Sequence, residues 1–120
     1  MAKILIVDDS ASMRQMVEFT LKEAGHDVMV AEDGQVALNI AKGAASDLVI
    51  TDINMPNMDG ITLIKELRAL APYKFTPILT LTTESTTDKK MEGKEAGATG
   101  WIVKPFNPEK LLATVNKVLG

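Results

Sequence analysis

Cysteine is absent from this 120-residue chain, which excludes disulfides, thiol nucleophiles and thiolate-bound zinc and fits a reducing compartment. Histidine occurs once, at His26 directly after a helix-ending Gly25, where it reads as a solvated loop residue. No apolar run approaches the 18 residues a spanning helix needs. The N-terminal run Ile4–Val7 is followed at once by two acids and is too short for a signal peptide, so a cytoplasmic protein is expected. Positive charge is scattered: 13 Lys and Arg stand against 16 Asp and Glu, for a net charge of −3. Without a basic cluster to neutralise phosphates, a nucleic-acid partner is disfavoured.

What is present is an ordinary globular composition, 46% hydrophobic with only five aromatics among Phe, Trp and Tyr. A chain of this length can bury one core without staples, so residues 1–120 are expected to form a single domain. Short apolar runs recur at Ile4–Val7, Val28–Ala31, Leu48–Thr51, Ile78–Thr82 and Trp101–Val103. They are nearly continuous rather than alternating, as parallel strands covered on both faces must be.

Helical periods fill the intervals. Met13, Met16, Val17, Leu21 and Ala24 repeat on one face before Gly25. Val36, Ala37, Ile40 and Ala41 follow, stopped by Gly43. Ile61, Ile64, Leu67 and Ala71 make a third helix, closed by Pro72. The fourth, near Thr87–Ala96, has Met91 and Ala96 as nearly its only core-like groups and carries Gly93, so it is weak. Asn107 caps the last, with Pro108 at its first position. Five strand-helix alternations predict a doubly wound α/β fold, with its chemistry beyond the carboxyl ends of the strands.

The residues at those ends are therefore the decisive ones. The first strand delivers Asp8 and Asp9, the third Asp52, the fourth Thr82 and Thr83, and the fifth Lys104 before Pro105. Glu32 and Asp33, after the second, read as a turn into a helix. Three carboxylates at about 4 Å repel by roughly 4 kcal/mol per pair at an effective dielectric near 20, so a hard cation or protonation must relieve them. Oxygen-only donors favour Mg²⁺, with Mn²⁺ or Ca²⁺ as alternatives, over zinc. A lysine and a hydroxyl beside such a cluster suit phosphoryl transfer, in which positioning and charge neutralisation carry most of the catalysis.

The segments ILIVDDS, DLVITDINMPNMDG, LTLTTES and GATGWIVKPF, in this order and spacing, resemble those of response-regulator receiver domains, and more narrowly of chemotaxis proteins of the CheY type. The resemblance spans essentially the whole chain and implies a flavodoxin-like five-stranded parallel sheet of order 2-1-3-4-5 flanked by five helices. It implies that Asp52 is the phosphoacceptor and takes a phosphoryl group from a CheA-like histidine kinase. Asp9, Asp52 and the backbone carbonyl of Asn54 would hold Mg²⁺, with Asp8 helping through a water. Lys104 would contact the phosphoryl group, Thr82 would bond it on arrival, and the Lys104–Pro105 bond would be cis.

Trp101 stands at the family's switch aromatic, more often Tyr or Phe. Asn54 and Glu84 stand where the lifetime of the acyl phosphate is modulated. The protein would be a monomeric signalling switch that promotes its own phosphorylation and dephosphorylation. With one helix after the fifth strand, it is expected to act by docking, on a FliM-like flagellar motor switch protein in chemotaxis and with a CheZ-like phosphatase. A stand-alone receiver in a non-chemotactic phosphorelay, or a phosphate sink, is the alternative. A phosphohydrolase of the haloacid-dehalogenase type would want an acid where Ser10 stands, and a flavodoxin would want no acids at its phosphate loop.

Overall fold

Each expected strand forms within one residue of its sequence limits. The computed structural model describes residues 2–82, 87–104 and 107–119, with only the backbone described at 82 and 87–90. The strands are β1 (Lys3–Val7), β2 (Asp27–Ala31), β3 (Leu48–Asp52), β4 (Ile78–Thr82) and β5 (Gly100–Val103). The helices are α1 (Ala11–Glu23), α2 (Gly34–Gly43), α3 (Gly60–Arg68), α4 (Thr87–Ala96) and α5 (Pro108–Leu119). All pairings are parallel, in the order β2-β1-β3-β4-β5.

The near-continuous apolar strands are explained by two cores, one on each face. Leu5 and Val7 of β1 join Val49, Ala37, Leu63, Leu67 and Tyr73 on the face covered by α2 and α3. Ile4 and Ile6, pointing the other way, join Ile50, Leu81, Ile102, Val17, Leu21, Leu111 and Val115 under α1 and α5. A strand clothed on both sides has no polar face to show, so alternation disappears.

Helix starts follow capping chemistry. Side chains of Ser10, Asp33 and Asp59 accept from the backbone N–H groups of Met13, Val36 and Thr62. Asn107 Oδ1 accepts from Lys110 N at 2.7 Å, as its place before Pro108 led one to expect.

Three expectations are corrected. Helix α3 stops at Arg68, and Pro72 instead lies in a separate 3₁₀ turn at Ala71–Tyr73. Proline needs no N–H partner in a first turn, so it begins the new turn rather than ending the old helix. Met91 is no core group, being 53% exposed; among the described side chains of α4 the inward residues are Gly93 and Ala96. A Cβ on Gly93 would already touch Ala98, Ile61 and Thr80 at 3.8–3.9 Å, so the helix lies too close for a large side chain. His26 is half-buried rather than solvated, and its Nδ1 accepts from Ala2 N at 3.3 Å.

Candidate functional site

The chain reverses its direction of winding between β1 and β3, where a doubly wound sheet opens a crevice at the carboxyl ends of its strands. Val7 pairs with Thr51 in that register, which sets Asp8 and Asp52 side by side just past the last paired residues. Asp8 is fully buried. Its Oδ1 accepts from Ser10 N at 2.9 Å, and Arg14 Nη1 donates to its carbonyl at 2.7 Å. Ser10 is itself the cap of α1, so the residue after the acid pair turns the chain into the helix. Asp9 is left exposed at the mouth. One carboxylate oxygen from each of Asp8, Asp9 and Asp52 lies within 4.8 Å of the others.

Lys104 enters from the end of β5. Its Nζ lies 3.3 Å from Asp8 Oδ2 and 3.4 Å from Asp52 Oδ2, with only 11% of its side chain exposed. The other oxygen of Asp52 accepts from Ile53 N at 2.8 Å. Burial pushes the Asp52 carboxyl above its ordinary value; Lys104 opposes this, Asp8 reinforces it, and the Ile53 N–H opposes it. At an effective dielectric near 20, three acid–acid repulsions across no more than 4.8 Å total at least about 10 kcal/mol, and two lysine–acid attractions total about 10 kcal/mol. Three carboxylates and one ammonium still leave a formal charge of −2 at the crevice.

The donor set suits a small hard cation. Octahedral Mg²⁺ with bonds near 2.1 Å spaces adjacent ligands about 3 Å and opposite ligands about 4.2 Å apart, so oxygens within 4.8 Å of one another must draw closer, or reach the ion through a water, to share it. Only oxygens face the crevice from these three residues. Bound there, a divalent ion would neutralise the acids and attract phosphoryl oxygens.

The loop after β3 is held by close backbone packing. Gly60 N donates to Ile53 O at 2.8 Å, and a Cβ on Gly60 would stand 2.1 Å from the Asp52 carbonyl oxygen. Glycine is thus obligatory for the loop to fold back beneath Asp52. A Cβ on Gly34 would likewise meet Met58 O at 2.5 Å. Asn57 adopts φ 67°, and its Nδ2 donates to Asp33 Oδ2 at 2.7 Å. Asp59 is the cap of α3 and takes no part in the acid cluster.

The structure thus brings Asp8, Asp9, Asp52 and Lys104 together. Asn54 is exposed in the loop beyond Asp52. Thr82 closes β4 opposite Val103, one residue before Lys104, so its backbone borders the crevice. Trp101 pairs with Thr80 deeper in the sheet and is 42% exposed. It lines a cavity of about 280 Å³ with Thr80, Gly93, Lys94, Ala98 and Thr99, between β5 and α4. Glu84 and the Lys104–Pro105 bond lie outside the described residues. Sequence reasoning missed Arg14, Asn57 and Arg68, all of which act through backbone carbonyls or a left-handed residue and leave no spacing pattern behind.

A parallel 2-1-3-4-5 sheet with an acid cluster and a lysine at its switch point defines a receiver module. Residues 4–116 match the model of the response regulator receiver domain, and the chain belongs to that family. It is 41% identical over 117 residues to the chemotaxis protein CheY-3 of Vibrio cholerae serotype O1, covering 97% of this chain and 90% of that protein. The solved structure of Vibrio cholerae CheY4 superposes with a TM-score of 0.96 at 57% identity, covering 99% of both chains. The receiver domain of the Pseudomonas aeruginosa sensor kinase PA1611, solved with a magnesium ion coordinated in its active site cleft, gives 0.92 at 26% identity, covering 99% and 98%. The protein is a two-component signalling switch with CheY-type relatives.

Proposed function

We propose that residues 1–120 form one receiver domain that takes a phosphoryl group on Asp52 from a CheA-like histidine kinase and, in the cytoplasm, signals as a monomer to the flagellar motor. The observation that carries this reading is the Lys104 ammonium placed between Asp8 and Asp52, 3.3 and 3.4 Å away. Asp9, Asp52 and the Asn54 carbonyl would hold Mg²⁺, with Asp8 reaching it through a water; the magnesium ion in the PA1611 receiver supports this.

Asp52 attacks the phosphorus of a phosphohistidine. The O–P bond forms as the P–N bond breaks, and the imidazole leaves and takes up a proton. The carboxyl must be ionised to attack, which Lys104 favours against the pull of burial. The product brings about −1.5 to −2 charge and three acceptor oxygens. Lys104 answers that charge by turning from the acids to the phosphoryl group, and the Thr82 hydroxyl bonds it as well. Two such contacts contribute about 3–6 kcal/mol, against the roughly 5.5 kcal/mol that a swing from 1:99 to 99:1 requires.

The readout would run through Trp101 and α4. Among its described side chains, α4 offers mainly Gly93 and Ala96 to the sheet, and the cavity of about 280 Å³ beside Trp101 gives an indole room to move. Asn54 and Glu84 would set the acyl-phosphate lifetime, with a CheZ-like phosphatase as a further partner. The chemotaxis proteins among the relatives support a chemotactic role, in which the target would be a FliM-like switch protein.

Acetyl phosphate with Mg²⁺ should label the wild type and leave Asp52→Asn unlabelled. Equal labelling of the mutant would remove Asp52 as acceptor. A pull-down with the beryllofluoride-bound protein then separates targets: a flagellar switch component supports chemotaxis, and a phosphotransfer protein supports a relay.

A further inference from the structure

Asp33 was expected to do no more than turn the chain into α2. Its Oδ1 does cap that helix, accepting from Val36 N at 2.9 Å. Its Oδ2 does something else: it accepts from Asn57 Nδ2 at 2.7 Å, across 24 residues of sequence. Asp33 is buried, and the Val36 N–H and then the Asn57 amide hold its carboxyl below the ordinary carboxylate range. It is therefore a charged acceptor gripping the loop that follows the phosphoacceptor.

Asn57 suits that grip in two ways. Its backbone is left-handed, at φ 67°, a conformation that asparagine adopts far more readily than most residues with a Cβ. Its amide supplies the donor. Glycine would satisfy the backbone but not the bond, and aspartate would satisfy the backbone while setting two carboxylates face to face. Beside it, Met58 lies against the bare Cα of Gly34, where a Cβ would come within 2.5 Å of the Met58 carbonyl oxygen. The N-terminal end of α2 is thus a seat for the loop tip.

The loop base is fixed separately, by Gly60 N donating to Ile53 O at 2.8 Å. Asn54 lies between the two anchors, one residue past Ile53 and three before Asn57. It is exposed, and among the described residues it makes no hydrogen bond of its own. Its carbonyl is held where it is by what happens at either end.

We propose that Asp33 and Asn57 are a positioning pair: from the far side of the loop they hold the Asn54 carbonyl in place as a ligand for the divalent cation beside Asp9 and Asp52. The inference rests on the metal site proposed above. Neither residue touches the ion. Both act through the loop, as partners behind a ligand characteristically do.

The pair can be tested by exchanging its polarity. In Asp33→Asn, one oxygen must choose between the cap and the tether. In Asn57→Gly, the tether is gone and the backbone is free to keep its conformation. In the double variant Asp33→Asn/Asn57→Asp, the amide of residue 33 can donate to the carboxylate of residue 57 while its oxygen keeps the cap. Mg²⁺ binding is measured by calorimetry on full chains, with urea titrations confirming that each is folded at the assay temperature.

Asn57→Gly and Asp33→Asn should each lose about tenfold in Mg²⁺ affinity, and the exchanged pair should recover most of it. Wild-type affinity in folded Asn57→Gly, or an exchanged pair no better than the single variants, overturns the proposal. If the wild type binds no Mg²⁺, or Asp52→Asn binds it as well as wild type does, the metal site itself is wrong.

Discussion

The Lys104 ammonium reaches two carboxylates at once, Asp8 Oδ2 at 3.3 Å and Asp52 Oδ2 at 3.4 Å, joining residues 96 and 52 positions apart in sequence. Of the three side chains, Asp8 is fully covered and the others are 11% and 14% exposed. Lys104→Met would leave those acids buried against each other, the situation in which losing one partner costs about 3 kcal/mol or more. Urea unfolding in EDTA should show that loss. Saturating Mg²⁺ should return more stability to Lys104→Met than it adds to the wild type, because the ion takes over a neutralisation that in wild type Lys104 already supplies in part.

Asp52 should report its environment through pH. In the metal-free folded chain, burial and Asp8 raise its carboxyl above the ordinary value of 3.8. The folded state therefore holds this proton more tightly than the unfolded state does. That contribution to stability is fully present below 3.8 and is lost as pH rises through the raised value. Asp52→Asn cannot titrate and escapes the loss. In EDTA the variant should be more stable than wild type at pH 7, and the gap should close as pH falls below 3.8. Urea midpoints across that range check the sign; a gap that widens towards acid would mean the folded site favours the charged form.

These two acids and their lysine were legible in the sequence because parallel strands fully clothed in apolar residues end where their chemistry begins. A polar residue just past Val7 or Thr51 has nowhere to go but the crevice. Strand order came with the family resemblance, because local patterns do not say which strands are neighbours. Met91 misled because a helix with one large apolar residue suggests that this residue is buried, whereas the face α4 turns inward carries the small residues Gly93 and Ala96 and leaves Met91 exposed. Asn57 and Arg68 were invisible for another reason. A surface Asn in a turn and a basic residue in a last helical turn are both satisfied locally, so nothing in their spacing announces a partner 24 or 29 residues away.

Two glycines separate crowding from conformational cost. A methyl on Gly60 would lie 2.1 Å from the Asp52 carbonyl oxygen, against backbone that also carries the acceptor. Gly60→Ala should cost about 3 kcal/mol, the upper end for overpacking, and should impair Mg²⁺ binding by moving the loop. A methyl on Gly93 finds its neighbours at 3.8–3.9 Å, ordinary contact distances. Gly93→Ala should raise stability by up to about 1 kcal/mol through helix propensity alone. Thermal unfolding distinguishes the two directly, one midpoint falling and the other rising.

Arg68 ties the far end of α4 to the body of the domain. Its Nε and Nη2 donate to the Gly97 carbonyl at 3.1 and 2.7 Å, and its Nη1 donates to the carbonyls of Tyr73 and Thr76 at 2.7 and 2.6 Å. Gly97, at φ 116°, turns the chain out of α4, and the stem of Arg68 packs against it. One guanidinium thus satisfies carbonyls from three segments, and burial lowers its pKa without discharging it. Arg68→Met keeps the stem and removes the donors, so it should cost about 2 kcal/mol for the carbonyls left short of partners. The loss should be local first: amide exchange at Gly97 and Ala98, whose N–H groups donate to Gly93 O, should quicken more than exchange in β1 or β3. Arg68→Lys should recover less than half of the loss, because a single ammonium cannot span Gly97, Tyr73 and Thr76 together. Full recovery by lysine would mean that charge, rather than the forked donor geometry, holds the end of α4.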